Sequence, residues 1–120
     1  MSRKILLIDD MSEIVKVISE YLKSENYQVF TATNGMDGIS INEAEDPDLI
    51  ILDLRMPIMD GIETLQEIRK TDEKVKVIIL SGYLKEYSIK DIEGLGISEY
   101  LNKPFNGIEL LRAVVNVLDS

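Results

Sequence analysis

Asp9 and Asp10, Asp53, Ser81 and Lys103 are the residues from which chemistry could be built, because each stands where a strand-like run ends. The chain has no His and no Cys. That removes the commonest general base and metal ligand, and with them disulfides, thiolate chemistry and Cys-based zinc sites. What remains is carboxylates, hydroxyls, Lys, Arg and backbone. Three carboxylates meeting at one place repel each other unless a cation or protons intervene. All-oxygen ligands select a hard ion, and Mg²⁺ commonly takes one or two carboxylates together with phosphate and water. Ser81 can donate a hydroxyl hydrogen bond, and Lys103 can meet an anion as a point charge. A hard cation, a Lys, a hydroxyl donor and a carboxylate nucleophile are the parts for phosphoryl transfer onto an aspartate.

Singly, these residues have plainer readings. Asp10 is as readily a helix cap, Ser81 a turn residue and Lys103 a solvated surface Lys. Asp53 is harder to dismiss, since capping requires a helix at once and Pro57 delays one. The case for a site is that all lie at the carboxyl ends of different strands.

Those strands are legible as runs. Leu49-Ile50-Ile51-Leu52 between Pro47 and Pro57 reads as a strand buried on both faces, with Asp53 at its end. Ile5-Leu6-Leu7-Ile8 ends at Asp9-Asp10, and Val75 to Leu80 ends at Ser81-Gly82. Tyr27 to Ala32 and Glu99-Tyr100-Leu101 are mixed in polarity, and Lys103-Pro104-Phe105 follows the latter. Helices fill the intervals. The first has Ser12 as N-cap, Ile14, Val15, Ile18 and Leu22 inward, and Asn26 closing it. A weak second helix after Asn34-Gly35 turns Met36, Ile39 and Ala44 inward and breaks at Asp46-Pro47. Ile62, Leu65 and Ile68 give the third its apolar face. The helix between Gly82 and Gly96 has a poor stripe of Leu84, Ile92 and Leu95, with Ser88 between them. The last helix carries Ile108, Leu111, Val115 and Leu118 inward.

Strand then helix, repeated about five times, indicates an α/β fold: a doubly wound parallel sheet with right-handed crossovers. Inner strands of such a sheet are apolar on both faces and edge strands are not. The second and fifth strands therefore belong at the edges, which gives the flavodoxin-like (βα)5 order 2-1-3-4-5. The switch point then falls between the first and third strands, where Asp9, Asp10 and Asp53 meet. The length of 120 residues fits one domain over residues 1–120, without linker, repeat or low-complexity segment. No apolar run is long enough to cross a bilayer and no charged-then-apolar leader opens the chain, so a cytoplasmic location with no membrane partner is expected. The net charge of −9 repels a phosphate backbone, so direct nucleic-acid binding by this domain is not expected.

Four segments carry a resemblance: Leu7-Ile8-Asp9-Asp10; Leu52-Asp53 with Met56-Pro57-Ile58-Met59-Asp60-Gly61; Leu80-Ser81-Gly82; and Gly96 through Tyr100-Leu101-Asn102-Lys103-Pro104-Phe105. In this order and at these spacings, over nearly the whole length, the chain resembles the receiver domain of bacterial two-component response regulators, the CheY-like family. The resemblance implies that Asp53 accepts a phosphoryl group from a phosphohistidine on a sensor histidine kinase or histidine phosphotransfer protein. It implies Mg²⁺, or Mn²⁺ in its place, held by Asp10, Asp53 and the backbone carbonyl of Arg55, with Asp9 acting through a metal-bound water. Lys103 pairs with one phosphoryl oxygen and Ser81 bonds another. Tyr100 matches the switch aromatic that turns inward when Ser81 moves, and the Lys103–Pro104 bond is expected to be cis. The chain is then no turnover enzyme, though it promotes its own aspartyl phosphorylation and dephosphorylation.

A phosphoryl group adds roughly −1.5 to −2 charges, which Ser81 and Lys103 can satisfy only by drawing two loops inward. The face formed by the helix between Gly82 and Gly96, the last strand and the last helix is then the output surface. It would meet a downstream output domain or target protein, or a second copy in a phosphorylation-dependent dimer. Arg55 and Tyr83, each two residues past a site residue, are expected to crowd the hydrolytic water and lengthen the phosphoryl lifetime. A Mg²⁺-dependent phosphatase of the haloacid-dehalogenase type would need Asp-x-Asp after the first strand, where Asp9-Asp10-Met11 stands. A dinucleotide-binding module would need Gly-x-Gly-x-x-Gly there. A degenerate receiver that only binds partners would not need the full acidic, hydroxyl and Lys set.

Overall fold

The computed structural model of the chain describes residues 2–82 and 92–120. The expected helix between Gly82 and Gly96, with Leu84, Ser88 and Tyr83, falls largely outside the described residues. The observed order is β1 (Lys4–Ile8), α1 (Ser12–Ser24), β2 (Gln28–Ala32), α2 (Gly35–Glu45), β3 (Leu49–Asp53), α3 (Gly61–Arg69), β4 (Lys76–Ser81), β5 (Glu99–Asn102) and α4 (Gly107–Leu118). All neighbouring strands pair in parallel, in the order β2-β1-β3-β4-β5. The sheet is therefore the one that strand polarity predicts. The middle strands β1, β3 and β4 carry the uniformly apolar runs, and the mixed strands β2 and β5 form the edges.

Two apolar layers sandwich the sheet. Ile5, Leu7, Leu49, Ile51, Ile78 and Leu80 face α1 and α4, whereas Leu6, Ile8, Ile50, Leu52, Val77 and Ile79 lie in a second cluster with α3. This alternation along each strand is the period-2 geometry of a pleated sheet, here apolar on both sides because both sides are covered.

Three helix details differ from the sequence reading. Ser12 is the first residue of α1 rather than its cap; Met11 occupies the cap position and makes no side-chain cap bond. In α2 the inward residues are Gly35, Gly38 and Asn42, with Ile39 half-buried, while Met36 and Ala44 are exposed. The helix lies so close to β1 that a Cβ on Gly38 would sit 2.4 Å from Ile8 Cδ1. A close approach selects small residues on the contact side, so the larger side chains point away. In α4 the buried set is Leu110, Ala113, Val114, Val117 and Leu118, and Ile108 and Val115 are exposed. The polar residues Glu109, Arg112 and Asn116 mark the solvent side, and the buried stripe lies opposite them.

The approach to β5 is fastened from another element. Arg69, in the last turn of α3, donates from Nε to Leu95 O (2.7 Å), from Nη2 to Gly96 O (3.2 Å) and from Nη1 to Asp72 O (3.2 Å). Asp72 in turn accepts from the N–H groups of Lys74 and Val75 and from Asn42 Nδ2 on α2.

Candidate functional site

Asp53 is the last residue of β3, paired with Leu80 on β4, and only 4% of it is exposed. The chain leaves the sheet directly after it. Leu54 N–H still bonds Leu80 O (3.2 Å), and Gly61 N–H then returns to Leu54 O (2.9 Å), which closes the intervening loop on itself. A Cβ on Gly61 would lie 2.4 Å from Asp53 O and 2.8 Å from Leu54 Cα, both backbone atoms that cannot step aside. Only glycine lets α3 begin this close to Asp53. Asp60 fixes that start with a capping box: its carboxylate accepts from Glu63 N–H, and the Glu63 carboxylate accepts from Asp60 N–H.

On the neighbouring strand, Asp9 follows β1 and is fully buried. Its N–H donates to Ala32 O (3.1 Å), and its Oδ1 accepts from Met11 N–H (3.0 Å). Asp10 is exposed at the mouth. Carboxylate oxygens of Asp9, Asp10 and Asp53 lie within 4.8 Å of one another. Lys103 Nζ stands 3.4 Å from Asp9 Oδ2 and 3.4 Å from Asp53 Oδ1, bridging the two. Burial, and then the adjacent Asp9 carboxylate, push the Asp53 carboxyl up to about 6, against the opposing pull of Lys103 and of Arg55 N–H. The crevice is thus short of positive charge. Among the described residues, three carboxylates around one ammonium suit a hard divalent cation.

The remaining expected residues distribute as follows. Ser81 ends β4 one position beyond the Leu80 partner of Asp53; it is buried, and its carbonyl accepts from Lys103 N–H (3.0 Å). The Lys103–Pro104 peptide is cis. Arg55 N–H reaches Asp53 Oδ1 (3.4 Å), which brings that peptide to the crevice, while its side chain is exposed. Tyr100 lies on β5 opposite Ile79 with 38% of its surface exposed, so its ring sits at the sheet edge and not in the crevice. Tyr83 lies outside the described residues.

Three features escaped the sequence reading. Asp9 pairs directly with Lys103, which spacing alone does not reveal. Ile58, at the tip of the loop after Asp53, is fully exposed and holds a φ of 71°. A groove of about 800 Å³ also runs between α1 and the turn after Lys103, lined by Ile14, Val17, Tyr21, Pro104, Phe105 and Leu110 among others. Its walls are largely apolar, and it adjoins the carboxylate crevice at Lys103.

The model of the response regulator receiver domain family matches residues 5–115. The chain is 38% identical over 118 residues to the sporulation initiation phosphotransferase F of Bacillus subtilis, covering 98% of this chain and 95% of that one. It is 37% identical to the chemotaxis protein CheY of Treponema pallidum, covering 96% and 82% respectively. Among solved structures, the receiver domain of a sensor histidine kinase from Pseudomonas aeruginosa superposes over the full length of both chains with a TM-score of 0.89 at 29% identity; that structure has a magnesium ion coordinated in its active site cleft. Sheet order, acidic crevice and sequence agreement along nearly the whole chain lead to one conclusion: this protein belongs to the response regulator receiver domain family.

Proposed function

We propose that the chain is a phosphoacceptor in a two-component or phosphorelay pathway, with Asp53 as the residue phosphorylated. The observation that carries this reading is the Lys103 ammonium 3.4 Å from both Asp53 and Asp9, inside a cluster of three carboxylates. An Asp53 oxygen attacks the phosphorus of a phosphohistidine while the P–N bond breaks, and the imidazole leaves with the electron pair. Asp9, Asp10 and Asp53, with the Arg55 carbonyl, would hold Mg²⁺ or Mn²⁺, which supplies charge neutralisation for the phosphoryl oxygens. Lys103 neutralises one oxygen of the incoming group, and Ser81 donates to another. Holding Asp53 almost fully buried limits the water around the acyl phosphate, and the Arg55 side chain, exposed two residues beyond Asp53, would restrict it further.

The donor is a sensor histidine kinase or a histidine phosphotransfer protein in the cytosol. The phosphoryl signal is read on the side of the molecule that carries Tyr100, Ile108 and Val115, whose exposed apolar surface supports a contact with an output domain, a target protein or a second copy. Among the described residues no helix is long and apolar enough to cross a membrane.

Incubation with Mg²⁺ and phosphoramidate, followed by intact mass measurement, tests the reading. One labile phosphoryl group should be gained, and none in Asp53→Asn. Turnover of the donor without a retained group would make the protein a phosphatase, and no reaction would leave it a binding module.

A further inference from the structure

Ile58 is a β-branched residue in the left-handed region, with a φ of 71°. Glycine, Asn or Asp adopts that conformation at far lower cost, and for a β-branched side chain it is a true outlier. Its side chain recovers nothing from the fold in return, because it is 103% exposed. Single exposed apolar residues are ordinary on protein surfaces. Val17 is an example, standing in the helix α1 at no backbone cost. Ile58 differs in combining an unfavourable backbone with an unburied aliphatic side chain, and such a combination points to a contact made outside the chain.

Its position indicates with what. Asp53 is 4% exposed at the floor of the crevice. A macromolecular donor can bring its histidine to that depth only by pressing its own surface against the rim. The loop that carries Ile58 starts directly after Asp53 and is closed by the Gly61 N–H to Leu54 O bond, so it leaves the sheet at the same carboxyl end as the crevice. Met11, exposed in the loop after the adjacent strand β1, adds a second apolar side chain at the same carboxyl end of the sheet. Resting on the phosphoacceptor reading above, we infer that Ile58 is an anchor for the protein that donates the phosphoryl group, inserting between apolar side chains that flank the donor histidine. A small donor has no such surface and makes no use of Ile58.

The test compares two donors: phosphoramidate, and a histidine-phosphorylated kinase domain selected because it transfers to the wild-type chain. Ile58→Gly should slow transfer from the kinase domain about tenfold, the size expected for loss of one well-packed aliphatic anchor. Its rate with phosphoramidate and Mg²⁺ should stay within about twofold of wild type, and its Tm should not fall, since the strain is relieved. Ile58→Asn, which tolerates the backbone but is polar, should be as slow with the kinase domain as Ile58→Gly. Ile58→Leu should restore transfer. Unchanged transfer from the kinase domain in Ile58→Gly overturns the inference. A parallel fall with both donors also overturns it, since Ile58 would then act on the crevice itself. Failure of the wild-type chain to take a phosphoryl group from phosphoramidate and from every histidine-phosphorylated kinase domain tried removes the phosphoacceptor reading, and this inference with it.

Discussion

The strands β3 and β5 each deliver one charged group to the same crevice, and they do so from opposite kinds of position. β3 lies between β1 and β4 and has no exposed residue; β5 is an edge of four residues that alternate between half-buried and exposed. Asp53 is therefore held by packing on every side, while Lys103 follows a strand bonded on one side only. On the phosphoacceptor reading proposed above, the difference assigns the tasks. A nucleophile must stay within a narrow geometry for in-line attack. A cation that is to follow an added phosphoryl group must be able to shift, and an edge strand would let it do so at lower cost than an inner one.

The comparison can be broken first at the chemistry. Asp53→Asn should abolish phosphoryl uptake from phosphoramidate, read as the loss of the added mass. Lys103→Ala should leave uptake detectable but slower by roughly 10- to 100-fold, since it removes one electrostatic contact to the transferred group and spares the nucleophile. Packing should show the same contrast in stability. Ile51→Ala on β3 should cost about 3–4 kcal/mol in urea denaturation, because the side chain is fully buried. Leu101→Ala on β5, half-buried at the edge, should cost no more than about 1.5 kcal/mol. Similar costs at the two positions would remove the distinction.

A smaller effect follows from the raised Asp53 carboxyl. Its folded value of about 6 exceeds the ordinary value of 3.8, so the fold binds the proton more tightly than the unfolded chain does. The associated stability is fully present below about pH 3.8 and is lost as pH rises through about 6. Without divalent cations, Asp53→Asn should be more stable than wild type at pH 7 by on the order of 2 kcal/mol, with the gap closing near pH 4. Added Mg²⁺ should narrow the gap at pH 7 by stabilising wild type alone.

Much of this contrast is legible in the linear chain. The uniform runs at Ile5–Ile8, Leu49–Leu52 and Val77–Leu80 mark inner strands because only strands covered on both faces are apolar throughout, and the mixed runs mark edges. The convergence of Asp9, Asp10 and Asp53 follows from that order. What the chain does not reveal depends on distances between elements. The inward side of α2 is set by how closely it approaches Ile8, so Gly38 and not Met36 faces the sheet. In α4, apolar residues extend around most of the helix, and two stripes compete; only the polar positions Glu109, Arg112 and Asn116 break the tie. The backbone of Ile58 is set by closure of its loop, against the preference of its own side chain.

The guanidinium of Arg69 has a mechanical consequence for the edge strand. Its bonds to Leu95 and Gly96 secure β5 at the end remote from the crevice, and a planar fork with several donors does this in a way one ammonium could not. With that end anchored, a tug on Lys103 would swing the strand about a pivot instead of sliding it along its axis. Tyr100, midway between pivot and pull, would travel sideways across the rim of the sheet.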